Sequence, residues 1–218
     1  MKERSGWQRF LFGGVVFVVA LCLLACVGCM LLGNALRETP PEREFAIEEL
    51  FIDASAFPSG WKADPAGPQV DTGQAPLGGG PMSIQQRVLF FYAEGTVKGK
   101  SIGAYEQIYR VASIKIATKE FERQVTVWFP RGKYWTPWER PTEVIFESSI
   151  ADQFHIACAY DTAPPVFIEE CSFLGQYEEY LVWFSTDMSP DYMTYEDLEH
   201  VLQAIDERMA HYLGKEAE

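Results

Sequence analysis

QFHIACAYDTAPPVFIEECSFLGQYEEYLVWF, residues 153–184, is the most informative part of the chain. Two runs rich in β-branched and aromatic residues, Gln153–Tyr160 and Val166–Leu174, flank Asp161-Thr162-Ala163-Pro164-Pro165. Such runs bounded by turn residues read as strands. Proline has no N–H to give a ladder, so Pro164-Pro165 marks the reversal. A hairpin turning there sets Cys158 directly opposite Cys171. Opposed residues in a non-hydrogen-bonded antiparallel pair lie about 4.5 Å apart at Cα, which a disulfide can span. The pair is therefore expected to be a cystine, contributing on the order of 3 kcal/mol by closing a short loop. Glu179–Phe184 reads as a further strand after a turn signal at Gly175.

On the N-terminal side, Ile84–Tyr92 and Ser101–Ala112 read as a hairpin joined through Gly95 and Gly99. Tyr105, Tyr109 and Val111 fall on one face of its second strand, and Ile102, Ala104 and Ile108 on the other. A helix capped by Ser113 follows, with Ile114, Ala117, Phe121, Val125 and Trp128 spaced as a buried stripe and Pro130 and Gly132 at its stop. Residues 130–141 read as a loop and Thr142–Ser148 as a strand. Near the C-terminus, Thr194 and Asp197 form a capping box. Leu198, Val201, Leu202, Ile205, Met209 and Leu213 repeat at helical spacing, and Gly214 ends the run. Earlier in the chain, residues 45–56 carry an apolar periodicity fitting a short helix or strand, and Phe57-Pro58-Ser59-Gly60-Trp61 reads as a turn. Residues 65–81 form a Gly/Pro-rich loop ending Gly78-Gly79-Gly80-Pro81. This loop leads into a strand, so it is no phosphate cradle, which requires a helix there.

Strand pair, helix, strands and long helix, joined by short connections, predict an α+β domain. Its antiparallel β-sheet has about six strands and packs with two amphipathic helices. This element order, with the segment from Tyr105 to Phe121 and the terminal helix, resembles the PsbP-like sandwich used by extracytoplasmic sensor and lipoprotein domains of bacteria. The resemblance covers roughly residues 45–214 and implies a fold more than an activity.

Phe10 to Leu36 contains no charged residue, and FLFGGVVFVVALCLLACVGCMLLG within it is long enough to span a bilayer as a helix. Lys2, Arg4 and Arg9 precede it with Glu3 alone opposing, whereas the chain as a whole carries −13. Positive flanks stay cytoplasmic. The expected topology is a cytoplasmic tail (1–9), a single-pass transmembrane anchor or signal-anchor (10–36), a tether (37–44) and one extracytoplasmic α+β domain (45–214). Two other readings stay open: lipidation at Cys26, within Leu23-Leu24-Ala25-Cys26, and cleavage at Gly33-Asn34-Ala35. All three put the domain outside the cytoplasm, where Cys158 and Cys171 would oxidise. The absence of N-x-S/T sequons fits a bacterial source.

The acidic balance excludes nucleic acid as a partner, since no basic stripe exists to neutralise phosphates. Three histidines, His155, His200 and His211, form no metal-ligand spacing; the last two lie about three helical turns apart. Neither H-E-x-x-H nor G-x-S-x-G occurs. Adjacent carboxylates Glu169-Glu170 and Glu178-Glu179 would point to opposite faces of a strand. Asp187-Met188-Ser189-Pro190-Asp191 lacks the ligand density of a calcium loop. No catalytic, metal or cofactor site is expected. The candidate binding surface is the run 128–140, which holds three tryptophans with Arg131, Lys133 and Arg140. Within it Arg131, Tyr134, Trp135 and Trp138 suit a protein partner or ligand, although the same rings could close one end of the core. The leading expectation is a non-enzymatic, membrane-anchored binding domain; an accessory subunit of a membrane complex and an enzyme without a local motif are the alternatives.

Overall fold

The computed structural model describes residues 40–70, 83–97, 100–129, 135–162 and 168–215. The expected tail, anchor and Cys26, the glycine run at 78–80, Arg131, Tyr134 and Pro164-Pro165 lie outside them. Among the described residues no helix is long and apolar enough to cross a membrane.

Six antiparallel strands form one sheet: β1 (Trp61–Ala63), β2 (Ser83–Val97), β3 (Lys100–Val111), β4 (Gln153–Tyr160), β5 (Glu169–Tyr177) and β6 (Tyr180–Met188). Their order is β1-β2-β3-β6-β5-β4, so the β2–β3 hairpin and the β4–β5–β6 meander meet where β3 pairs with β6. Alternation along each strand divides the sheet into two faces. Phe91, Ile102, Ala104, Ile108, Phe173, Val182 and Phe184 point to the main core. Tyr109, Leu174, Leu181 and Trp183 point to a smaller cluster on the opposite face. The expected split of β3 into an Ile102/Ala104/Ile108 face and a Tyr105/Tyr109 face is found.

Helix α1 (Ile114–Trp128) closes the smaller cluster through Phe121. Its buried line runs through Ala117, Phe121 and Gln124, whereas Ile114 is 49% exposed. Ala117, Phe121 and Val125 of the expected stripe pack on the sheet side, and Gln124 joins them in an inward place that apolar spacing could not flag. Helix α2 (Tyr195–Leu213) closes the main core with Leu198, Val201, Leu202, Ile205 and Met209. Its capping box is in place: Asp197 N donates to Thr194 Oγ1 at 3.2 Å and Thr194 N donates to Asp197 Oδ2 at 2.9 Å. Gly214 ends it at φ 65, in the left-handed region that glycine favours.

Residues 142–148 do not form a strand. Val144 and Phe146 are buried and Ile145 is 76% exposed, so the alternation is real. Yet the backbone bonds leave the sheet: Ile145 N and Phe146 N both donate to Glu199 on α2, the latter at 2.8 Å. Arg140 donates to the carbonyls of Val144 and Phe146. The sixth strand is instead β1, paired to β2 through Trp61–Ala93 and Ala63–Phe91. Gly175 is likewise no turn. β5 runs through it, and the reversal falls at Glu178-Glu179, with Glu178 at φ 55.

The chain entering the domain is docked rather than loose. Arg43 Nε donates to Glu179 Oε1 at 2.9 Å, and its Nη2 bonds Glu179 Oε2 at 2.6 Å and Glu178. Arg110 reaches Glu179 at 3.2 Å and the Pro41 carbonyl, and both guanidinium groups lie over the Tyr180 ring. Burial pushes the Glu179 carboxyl up, but the two arginines outweigh it and hold it below the usual range. Residues 47–56 follow as two short 3-10 turns that bury Ile47, Leu50, Phe51 and Ile52 in the main core.

Candidate binding cleft

At one end of its face, α1 covers the row containing Trp183 and Leu174. Further along the strands the same face carries two other rows, which the register fixes. Phe90, Tyr105, Ser185 and Ser172 pair in sequence across β2, β3, β6 and β5. In the next row Tyr92 pairs with Gly103 on β3, and Asp187 pairs with Glu170 across β6 and β5. Together these rows bound a cleft of about 210 Å³.

Two carboxylates therefore face each other directly across adjacent strands, an arrangement that destabilises a sheet by like-charge repulsion. Both are held in place. Ser172 Oγ donates to Ser185 Oγ at 2.9 Å, and Ser185 Oγ donates to Glu170 Oε1 at 2.6 Å. Gly103 N donates to Asp187 Oδ2 at 3.3 Å. Because Ser172 and Ser185 are buried, this relay fixes the Glu170 carboxylate from beneath. The opposite wall is aromatic, with Phe90 and Tyr105 ring centroids 6.2 Å apart and Tyr92 45% exposed. Negative charge beside ring faces favours a cation with an apolar stem.

Trp135 and Trp138, expected at a binding surface, lie on the outer edge of β4. Glu139 N donates to the Cys158 carbonyl at 3.1 Å and Cys158 N to the Glu139 carbonyl at 2.8 Å. Thr136 N donates to the Tyr160 carbonyl at 3.0 Å. The segment thereby covers an edge that would otherwise offer unpaired backbone groups. Trp138 packs on the smaller cluster, edge-on to Phe129 at 5.7 Å, and Trp135 lies over Trp138 at 5.5 Å. Both tryptophans are half-buried. The strip also flanks the end of β4 where Ala159 pairs with Glu170, so it adjoins the carboxylate side of the cleft.

Cys158 and Cys171 are joined in a disulfide, S–S 1.97 Å, and are cross-strand partners. Because the Cys158 backbone bonds outward to Glu139, the pair is non-hydrogen-bonded within the β4–β5 ladder. The Glu169 carboxylate lies near both sulfurs, but sulfurs spent in a disulfide do not ligate metal. Glu169 instead accepts from Tyr195 Oη at 2.9 Å on each oxygen. Burial raises its pKa. His155 is half-buried edge-on to Phe129 at 4.3 Å, and burial, then Arg140, lowers its pKa. His200 and His211 are exposed on α2. A second recess, about 440 Å³, lies between residues 52–56 and α2; there Asp53 and Arg208 pair at 3.3 Å.

No protein-family model matches the chain, and no curated protein matches it in sequence. A solved structure matches it in fold. The chain is similar in fold to the extracellular domain of PknH from Mycobacterium tuberculosis. The TM-score is 0.54 at 10% sequence identity, over 78% of this chain and 98% of that one. At that identity the likeness is one of architecture, and it does not single out the PsbP-like group.

Tyr92, Tyr105, Glu170 and Asp187 were not legible as a site. The signal that brings Glu170 and Asp187 together is the β5–β6 register, and the β2–β3 and β3–β6 registers add the tyrosines. A turn placed at Gly175 rather than at Glu178-Glu179 loses the Glu170–Asp187 pairing.

Proposed function

We propose that this chain is an extracytoplasmic binding domain of the bacterial sensor or lipoprotein kind, carried on a membrane by residues 10–36 with its N-terminus cytoplasmic. Its cleft takes a cationic group borne on an apolar stem. The observation that carries this reading is the Glu170–Asp187 pair facing the rings of Phe90, Tyr92 and Tyr105. Support for the location comes from the disulfide, which belongs to oxidising compartments. An architecture shared with an extracellular domain is compatible with it.

Binding is favoured over catalysis by the placement of Ser185. Its hydroxyl touches Glu170, but it is buried beneath that carboxylate, so it orients Glu170 and offers no exposed nucleophile. The strip holding Trp135 and Trp138 extends the surface for a protein partner that presents such a cation, and Arg131 and Tyr134, close to it in sequence, are proposed to serve the same partner. That extension rests on the strip adjoining β4 beside Glu170.

The test is calorimetric titration of the full-length chain in detergent with spermidine, arginine amide and a neutral chitin oligosaccharide. The two cations should bind, weaken with added salt, and lose affinity in Glu170→Gln and Asp187→Asn. Binding of the neutral sugar alone, or binding indifferent to both substitutions, would overturn the ligand class. Protease digestion of intact cells should remove the 40–215 domain; protection of that domain would overturn the topology.

A further inference from the structure

Glu106 stands in the middle of β3 on the main-core face, fully buried between Leu89 on β2 and Phe184 on β6. A carboxyl group in such a place needs partners for both oxygens. One has a single partner: Ile52 N donates to Glu106 Oε2 at 3.0 Å. The other, Oε1, has no hydrogen-bond partner. A carboxylate there would be a buried charge with one neutral donor, so the group is held as the uncharged acid, and burial pushes its pKa up to about 8.

The surroundings offer little else. From α2, Arg208 acts on Glu106 through space, but its guanidinium is paired with Asp53 at 3.3 Å. From β5, Tyr177 faces the same core, and its hydroxyl is given to Asp206 of α2 at 2.5 Å. From the 3-10 segment the contact is the Ile52 amide, with Asp53 turned to Arg208. β2 and β6 present Leu89 and Phe184, which carry no charge.

Ile52 belongs to a strap, residues 40–57, that is tied down at both ends. Arg43 is bound to Glu178 and Glu179. Phe57 stacks on Trp61 at 5.0 Å and meets Phe91 at 4.4 Å. Between these anchors the strap buries Ile47, Leu50, Phe51 and Ile52 in the main core and meets the Glu106 carboxyl through the Ile52 amide, and Ile52 and Asp53 also line the open recess against α2.

We infer that Glu106 is a proton-controlled latch: as the uncharged acid it holds the Ile47–Ala56 strap against the sheet, and on losing its proton to solvent it releases the strap toward the α2 recess. The driving force is the cost of a charge in the core, which outweighs the stronger hydrogen bond a carboxylate takes from the Ile52 amide and is relieved when Ile52 lifts and water reaches the carboxylate. This device is independent of the cleft and its ligand. It would connect external pH to the segment through which the chain enters the domain.

Hydrogen exchange of the full-length protein between pH 6 and 10 tests it. After correction for intrinsic base catalysis, opening of the 47–56 amides should rise by up to about tenfold per pH unit below about 8, the Glu106 pKa in the closed state, and level off above it. Amides of β5 and β6 should stay protected. In Glu106→Gln the strap should remain closed throughout. Equal pH dependence in both proteins would overturn the latch. Should the variant fail to fold, the wild-type carboxyl carbon resonance of Glu106 decides the matter. Titration near 8 supports the inference, and titration with the surface carboxylates near 4.5 refutes it.

Discussion

Glu170 on β5 and Asp187 on β6 are cross-strand partners on one face of the sheet, two negative side chains set directly against each other. Glu170 accepts from the Ser185 hydroxyl and Asp187 from the Gly103 amide, contacts that an amide oxygen can also accept. Glu170→Gln or Asp187→Asn is expected to change stability by less than about 0.5 kcal/mol while weakening cation binding on the order of tenfold. Thermal melts and calorimetry on the same preparations check both effects. A loss of stability in both variants would mean that the pair is structural.

The buried acid at Glu106 makes stability depend on pH in a defined direction. Its pKa rises from 4.5 in the unfolded chain to about 8 in the folded one, so the folded state keeps a proton that the unfolded state has lost. This contribution is complete below about 4.5 and is lost as pH climbs through about 8. Glu106→Gln should remove that slope and be more stable than wild type at pH 7 by on the order of 2 kcal/mol. Urea melts at pH 5, 7 and 9 give the comparison.

Gly175 occupies mid-strand with no room for a side chain. A Cβ there would lie 2.7 Å from both Phe173 Cζ and Tyr177 Cε2, since the two rings close over it. Gly175→Ala must part them and disturb the Tyr177–Asp206 hydrogen bond, at a cost of about 2 kcal/mol. A melting shift below roughly 0.5 kcal/mol equivalent would show that the rings move freely.

Reduction should open the Cys158–Cys171 bond and lower stability by about 3 kcal/mol, or about 10 °C in Tm for a domain of this size. The measurement is differential scanning calorimetry with and without dithiothreitol, with Cys158→Ala/Cys171→Ala as control. Native protein should show both of these thiols resistant to alkylation.

Trp138 and Trp135 separate packing from recognition. Trp138 is built into the smaller cluster, so Trp138→Ala should cost about 2–3 kcal/mol. Trp135 rests on it from outside, and Trp135→Ala should cost less than 1 kcal/mol. Crosslinking in membranes should then show the partner lost from Trp135→Ala at full protein stability.

Much of this architecture was readable from residue order because it rests on local rules. The Ser113 and Thr194 caps, the α2 stripe from Leu198 to Met209 and the Cys158–Cys171 register each depend on neighbours within a few residues or across one turn. Misreadings arose where a local signal has two meanings. Gly175 looks like a turn because glycine is the usual turn residue, yet here its missing side chain makes room for Phe173 and Tyr177. Residues 142–148 alternate like a strand, yet their amides bond to Glu199.

Composition and local pattern thus account for the helices, most of the strands, the acidic character and the disulfide. Long-range assembly accounts for the rest: β1 as the sixth strand, Arg43 docked on Glu179, Glu106 under Ile52, and the carboxylates of the cleft. Each joins residues far apart along the chain, and whether two such residues meet depends on how whole strands pair and helices pack. Periodicity within a single segment carries no record of that choice.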